Sequence, residues 1–477
     1  RLLQRVQSER PGEISADQAR SIRGETLFLR AHYHFEAWRF WGNVPYYTET
    51  DTDFRKPNTG DPLPSILKDL DEAIGLLATM PSARQTQKGR ATQWTARAYR
   101  GRVQAHAASM GAAGVAWSTA LATLRDVANN GPYRLEPNFQ RVWTGFTQFA
   151  NGPETILAYQ ASVNDGDPGG ANSNQGERLN FPHSGSPLGC CGFHQPSQNL
   201  VNFFKVDANG LPLALSVGDL TPLSAREAWN ADNANFTAAN KAPVDPRLDW
   251  TVGRDGVPYK DWGVHSSVAG SFGAGGWVRS AEYGGNYNAK KHVHERASGS
   301  QSNVGWNSQH LNGVNIHIFR YADLLLLLAE AEVEAGSIEN ARQIVNQIRR
   351  RAGQVAQGPA TTANNIAVPI NDPSITWATY AVGEYPSFPS REYARSAVRY
   401  ERRLELAMEG QRLFDLRRWN IHAPVLNEYV AVEQTRRSHL RAAAAVTERH
   451  RLFPIPNRQI ELSQVGGESR LRQNPGW

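Results

Sequence analysis

Apolar residues recur every three to four positions through the first third of the chain, the spacing that lines one face of an α-helix. Ser15 with Gln18 three residues on has the form of a capping box. Leu27, Ala31, Phe35 and Trp38 carry the period forward until Gly42 and Pro45 stop it. The same pattern predicts helices from about Pro64 to Met80, Thr92 to Met110 and Ala116 to Ala128, each closed by Gly or Pro. Their connections are short, so successive helices are expected to pair antiparallel.

A second helical block begins at Arg320, where Tyr321-Ala322-Asp323-Leu324-Leu325 leads through Glu330-Ala331-Glu332 to Gly336. Ser337 then caps a partner helix ending near Gly353. The two helices together match the roughly 34-residue period of a tetratricopeptide unit, with its signature residues only loosely met, so helix-turn-helix geometry is expected rather than a regular array. A further helix is predicted from Ser390 to Trp419. Between the blocks, residues 160–315 lose the helical period and become rich in Gly, Asn, Pro and Ser with scattered aromatics. A stretch that long without regular structure is usually functional or disordered, and its Trp, Tyr and Phe content argues against disorder.

Composition narrows the function classes. The longest apolar run, Leu324 to Ala329, is far short of the roughly 20 residues of a bilayer-crossing helix. Net charge is only +6 over 477 residues, with acids and bases interleaved, which argues against nucleic-acid binding. The opening Arg1-Leu2-Leu3-Gln4-Arg5 carries charges where a signal peptide needs its apolar segment, so the chain is either cytosolic or has lost a leader. Cys190 and Cys191 are adjacent. Their α-carbons lie about 3.8 Å apart across a trans peptide, too close for an unstrained bridge, so two free thiols in a Gly-rich loop are expected, with a strained vicinal disulfide as the alternative.

Catalytic and metal motifs are weak. His292, His294 and Glu295 alternate as on a strand face, and His265 is a candidate fourth ligand, but an exposed polar strand edge beside Lys290 and Lys291 is the simpler reading, and no metal or cofactor is expected. No Ser-His-Asp arrangement, Walker loop or cysteine metal spacing is present. The charged cluster Glu401, Arg402, Arg403, Glu405, Glu409, Arg412, Asp415, Arg417 and Arg418 has helical spacing and reads as ion pairs joining helices. A glycosidase needs paired carboxylates at a defined separation, and nothing in the sequence fixes one.

Several segments resemble the RagB/SusD family, in the family's order. They are Phe28-Leu29-Arg30-Ala31 through Trp41-Gly42-Asn43-Val44-Pro45; His194-Gln195-Pro196-Ser197-Gln198-Asn199-Leu200-Val201; Asp245-Pro246-Arg247-Leu248; and Arg320-Tyr321-Ala322-Asp323-Leu324-Leu325. Glu401-Arg402-Arg403-Leu404-Glu405-Leu406, Asp415-Leu416-Arg417-Arg418-Trp419, Phe453-Pro454-Ile455-Pro456 and Gln473-Asn474-Pro475-Gly476 complete the match. Asp323 stands where the family commonly has Glu.

The resemblance implies a mainly α fold: a SusD-like helical scaffold of tetratricopeptide-like helix-turn-helix pairs carrying a loop-rich ligand-binding insertion. The parts would be 1–159 (N-terminal helical part), 160–315 (insertion) and 316–477 (C-terminal helical part), all within one fold. It also implies a non-enzymatic surface lipoprotein of the outer membrane, anchored by an N-terminal lipidated Cys absent from this chain. Its partner would be a SusC-like TonB-dependent transporter for which it acts as lid, and its ligand an oligosaccharide or, as the alternative, a peptide. A secreted hydrolase using Asp165, Asp255 or Asp261, and a helical adaptor that binds through a concave surface, are the readings from other classes.

Aromatic faces cover sugar rings while Asn, Asp and Arg bond hydroxyls, so the insertion tryptophans Trp229, Trp250, Trp262, Trp277 and Trp306 draw attention. The expected ligand-binding set is Trp277, Tyr283, Trp306, Trp262, Tyr287 and Asn286. The resemblance adds Phe54 and Arg55 from the loop after the first long helix.

Overall fold

The computed structural model describes residues 1–80, 86–87, 89–183, 185–213, 242–267, 276–305 and 310–477. They divide into two compact units, Arg1–Pro132 with Phe414–Ala423 and Ala445–Trp477, and Tyr133–Leu413 with Pro424–Ala444.

In the first unit a short helix α1 (Leu2–Glu9) precedes the long α2 (Ala16–Trp41), followed by α3 (Leu63–Ala78), α4 (Gln93–Ser109) and α5 (Trp117–Asn130). The expected capping box is formed. Ser15 Oγ accepts from the Gln18 amide and the Gln18 side chain accepts from the Ser15 amide, which satisfies donors that a helix start leaves open. Each helix packs on the next through apolar faces, with Phe28, Phe35 and Tyr99 meeting edge to face. Two glycines allow this closeness, since a Cβ at Gly24 would stand 2.9 Å from Leu77 and one at Gly101 2.7 Å from Leu124. Arg30 spans α2 and α3 with a fork onto Asp69, at 2.5 and 2.7 Å. The chain end returns to this unit, where the Asn474 amide donates to the carbonyls of Trp41 and Phe453.

The second unit carries a helix pair, α6 (Tyr321–Ala335) and α7 (Ile338–Ala352), against which α8 (Arg391–Glu405) packs. Ser337 caps α7 by accepting from the amides of Glu339 and Asn340. Small residues, Ala329, Ala341, Ala394 and Ala397, fill the three-helix contact and keep the axes close. The single helix expected from Ser390 to Trp419 is instead two, α8 and α9 (Arg412–Arg418). Left-handed backbone at Met408 (φ 65°) and Gly410 (φ 77°) turns the chain out of the helical path between them.

The described residues of the insertion form short helical turns, Gln198–Asn202, Arg247–Thr251, Ala281–Gly284 and the 3-10 turn Arg296–Ser298, and strands of two residues, Val252–Gly253 and Asn288–Ala289. At its two ends β1 (Thr155–Tyr159) pairs antiparallel with β2 (Ile316–Arg320), with Thr155 opposite Arg320 and Ala158 opposite His317. The stretch read as an exposed strand edge at 290–295 is corrected: Lys290, Lys291, His294 and Glu295 are buried, in irregular chain rather than on a strand. Burial of both ammonium groups is compensated by carbonyls. Lys290 Nζ donates to Asp249 and Pro258, and Lys291 Nζ to Glu405 O and the Glu409 carboxylate.

The predicted charge cluster is a buried ion network. Arg320 meets Glu154 at 2.5 Å, Glu405 at 2.7 Å and Glu409 at 2.8 Å. Arg351 reaches Glu154 and Glu405, Arg247 bridges Asp245, Glu401 and Glu405, Arg349 holds Glu401, and Arg402 holds Asp323. Arg403 instead donates to the Asn199 side chain and lies over the Phe203 ring. Facing guanidinium groups hold the Glu405 and Glu409 carboxyls below the usual carboxylate range against the opposing effect of burial.

Candidate functional site

A partly enclosed cavity of about 280 Å³ opens beside the β1–β2 pair, lined by residues drawn from 136–164 and by Gly299, Ser300, Gly313, Asn315 and His317. One wall is the segment after α5. Phe139, Val142 and Trp143 turn inward, pack on Trp250 and Ile366, and fix the backbone from which Arg141 and Phe149 face the cavity. Arg141 lies over the Phe149 ring, 4.6 Å from its centroid. Glu295, itself facing Lys260 at 3.2 Å, accepts from the Gly145 amide and Thr144 Oγ1 and pins the next turn. A side chain at Gly145 would strike Ser298 and Ser300 across the space, at 2.6 and 2.7 Å.

The opposite wall is β2. Its register sets His317 beside the cavity, where Nε2 pairs with the Val142 carbonyl at 3.1 Å and the ring meets Trp143 edge-on. Burial and the charge of Arg320 bring the His317 pKa down to about 4, so the ring is neutral near pH 7. Nε2 then carries the proton, and Nδ1 is left as a lone pair with no donor among the described residues. Asn151 and Asn315 close the rim through a 3.1 Å amide bond.

At the floor, Glu154 is held by Arg320 and Arg351, while neighbouring Glu136 is buried and accepts no hydrogen bond at its carboxyl among the described residues. Burial and the Glu154 charge push the Glu136 carboxyl up toward the neutral acid. Arg141 Nε likewise lacks an acceptor among the described residues. Buried polar groups are normally satisfied. Here one guanidinium nitrogen and one imidazole nitrogen without hydrogen-bond partners among the described residues belong to side chains that line the same space as the Glu136 carboxyl, an arrangement that suits a polar ligand.

Of the eight residues singled out in the sequence, the seven that are described do not line this cavity. Trp277 is only 7% exposed and packs with Phe181, Leu188, Tyr259 and Val293. Tyr287 is buried and donates its hydroxyl to Gln198. Trp262 is half-buried, with Nε1 donating to the His294 carbonyl. Asn286 is partly buried, and its amide oxygen has no donor among the described residues.

Tyr283 is 55% exposed, edge-on to His439. In the first unit Phe54 is 68% exposed, and Arg55, paired with Asp53, lies over its ring. Trp306, like Trp229, lies outside the described residues. The sequence reading missed Glu136, Arg141, Phe149 and His317. The available signal was the aromatic-rich run Phe139-Gln140-Arg141-Val142-Trp143-Thr144-Gly145-Phe146-Thr147-Gln148-Phe149, which precedes the stretch searched.

One further expectation is corrected. Cys190 and Cys191 are joined to each other rather than free; their α-carbons are 3.0 Å apart across a cis peptide bond, not the trans spacing assumed. The residues weighed as metal ligands do not converge. His265 is held by Asp255 and Asn288, His292 faces Glu177, and Glu295 faces Lys260. The acids weighed for hydrolysis have structural partners: Asp165 holds Ser162 and Asn172, Asp255 holds His265 and Ser267, and Asp261 accepts from the Arg296 and Ala297 amides.

Comparison with known proteins follows the same geometry. The family model described as the SusD family matches residues 153–477, and one described as starch-binding associating with outer membrane matches residues 2–104. SusD-like protein P38 of Formosa agariphila is 25% identical over 430 residues, covering 87% of this chain and 69% of that protein. Among solved structures, a surface glycan-binding protein A from Bacteroides fluxus superposes with a TM-score of 0.63 at 19% identity, over 98% of this chain and 81% of that one. A laminarin-binding SusD-like protein superposes with a TM-score of 0.59 at 22% identity, over 100% and 82%.

Proposed function

The chain belongs to the SusD family, and from that premise we propose that it is a non-enzymatic, surface-exposed lipoprotein of the outer membrane that captures oligosaccharide and serves as lid to a SusC-like TonB-dependent transporter. The observation that carries the capture role is the cavity lined by Glu136, Arg141, Phe149 and His317, where Arg141 Nε and His317 Nδ1 have no hydrogen-bond partner among the described residues. A ring face with convergent donors and acceptors suits a sugar. The names of the superposing glycan-binding and laminarin-binding proteins and the outer-membrane description of the family model support the same reading.

A binding role also fits the acids. Asp165, Asp255 and Asp261 are spent on turns and caps, whereas a glycosidase presents two carboxyls to one scissile bond. In the second unit, exposed Tyr283 is proposed to add a contact for a longer chain, and Phe54 and Arg55 are proposed as a separate exposed contact on the first unit.

Glycan-array screening of the purified protein, with product analysis of every glycan that binds, tests the proposal. Binding without turnover is the expected result. Hydrolysis abolished by one carboxylate substitution would replace it with a hydrolase. Co-purification of the full-length precursor with a barrel transporter from outer membranes tests the lid role, and recovery from cytosol without lipid would refute the location.

A further inference from the structure

We propose that Cys190, Cys191 and His310 form a site for one thiophilic metal ion of the zinc type, opened when the Cys190–Cys191 bond is reduced. The site goes beyond glycan capture and does not depend on it.

Three soft or borderline donors meet at this point of the second unit. Both sulfurs and one ring nitrogen of His310 lie within 4.8 Å of one another. Zinc bonds of roughly 2.0–2.3 Å each let two donors share an ion when they stand up to about 4.6 Å apart, so small side-chain rotations bring all three onto one ion. Sequence spacing hides the set, because His310 lies 122 residues beyond Leu188, its neighbour in the cysteine loop.

His310 points to the ion independently of the cysteines. Its ring is 1% exposed and packs beside Phe181, and Nε2 is held by the Leu188 carbonyl at 2.6 Å. A carbonyl only accepts, so Nε2 carries the proton and Nδ1 is a lone pair. That lone pair has no partner among the described residues, although buried polar atoms are normally satisfied. An imidazole that ligates a metal has this pattern, one nitrogen on the ion and the other donating to a backbone carbonyl. Nδ1 needs no exposure of its own, since an ion seated between it and the sulfurs enters past Cys190 and Cys191, which are partly exposed.

The loop is held on both sides of the pair. Ser186 Oγ accepts from the Leu188 and Gly189 amides, and the Gly192 amide donates to the Phe181 carbonyl at 2.7 Å. Arg279 donates to the Cys191 carbonyl at 3.0 Å, a positive charge that favours thiolate over thiol. In the structure the sulfurs are bonded to each other, and a disulfide is no ligand for zinc. Two molecules of a low-molecular-weight thiol open it: the disulfide gains two electrons and two protons, and the reductant leaves as its own disulfide. The two cysteine thiols release their protons on binding Zn²⁺, which leaves one position of the tetrahedron for water.

The test is titration of the full chain with Zn²⁺, oxidised and after reduction by a phosphine, in competition with a chromophoric chelator. The reduced protein is expected to bind one more Zn²⁺ per chain than the oxidised protein. Cys190→Ser and Cys191→Ser are each expected to weaken that extra site, and so is His310→Gln, by about tenfold or more, the cost of losing even an outer partner of a metal site. Melting temperatures without metal establish that each variant folds. X-ray absorption at the zinc edge of the reduced wild-type protein needs no variant, and two sulfurs at about 2.3 Å with an imidazole nitrogen at about 2.0 Å are expected. Equal zinc uptake by oxidised and reduced protein, a folded His310→Gln variant with wild-type affinity, or a metal shell without imidazole overturns the proposal.

Discussion

Glu154 and Arg320 meet at 2.5 Å with both side chains about 1% exposed, and they join the two ends of the insertion. Glu154 precedes β1 and lines the cavity, while Arg320 ends β2 and opens the helical block at α6. Arg320 also reaches Glu405 at the end of α8 and Glu409 beyond it. One guanidinium therefore fixes the cavity floor to the three-helix core, and the geometry of the proposed binding site depends on the folding of residues more than 80 positions away.

Replacing Arg320 by Met is expected to leave Glu154, Glu405 and Glu409 each short of one cation in a dry interior, with Arg351, Arg247 and Lys291 as their remaining partners. Removing one partner of a buried ion pair costs about 3–5 kcal/mol, because the remaining charges stay buried. Thermal melting monitored by circular dichroism measures this. A melting temperature within 2 °C or so of wild type would show that the network is not anchoring the unit.

Acidification has a calculable sign at His294. Burial, followed by the charge of Lys260, brings its pKa down to about 4 from an unfolded value near 6.5. The folded state therefore excludes a proton that the unfolded chain binds. The resulting stabilisation is full above pH 6.5 and is lost as pH falls toward 4, about 3 kcal/mol in all. His294→Asn is expected to flatten the slope of stability against pH between 6.5 and 4.5. An unchanged slope in denaturation curves across that range would show that His294 charges freely in the native state.

The helical framework was legible because its signals are local. The Ser15–Gln18 box, the Ser337 cap and the three-to-four spacing of apolar residues act within a few turns, and the structure forms all of them. The ion pairs of 401–409 were legible for the same reason. The break after Glu405 was not, since helical spacing continues through Met408 and only backbone conformation interrupts it. The cavity was hidden because Glu136, Arg141 and His317 are brought together by strand pairing across more than 150 residues. The insertion lacks a period, so nothing in the sequence separates buried Trp277 and Tyr287 from exposed Tyr283.

Gly152→Ala probes the cavity from the backbone side. The added methyl would drive the Glu136 carboxyl into the ligand space, and Gly152 has no positive φ to complicate the change. Loss of binding to the tightest glycan on the array by about tenfold or more, with an unaltered circular dichroism spectrum, is the expected outcome. Wild-type affinity in this variant would move the site out of the cavity and toward the exposed aromatics.

A paired substitution separates packing from recognition among those aromatics. Trp277 fills a core contact with Phe181, Tyr259 and Val293. Trp277→Ala is therefore expected to destabilise by about 3–5 kcal/mol, the usual cost of emptying a large buried site. Any loss of binding in that variant would follow from the fold. Tyr283 is more than half exposed and touches His439 only edge-on. Its replacement by Ala is expected to change stability by no more than about 0.5 kcal/mol. If Tyr283 covers a sugar face as proposed, burying about 60 Å² at roughly 25 cal/mol per Å² gives on the order of 1.5 kcal/mol, a tenfold loss of affinity. Melting temperature and calorimetric affinity measured on both variants decide the matter. A folded Trp277→Ala protein at wild-type stability, or a Tyr283→Ala protein that binds every array glycan as tightly as wild type, would reverse the role given to that ring.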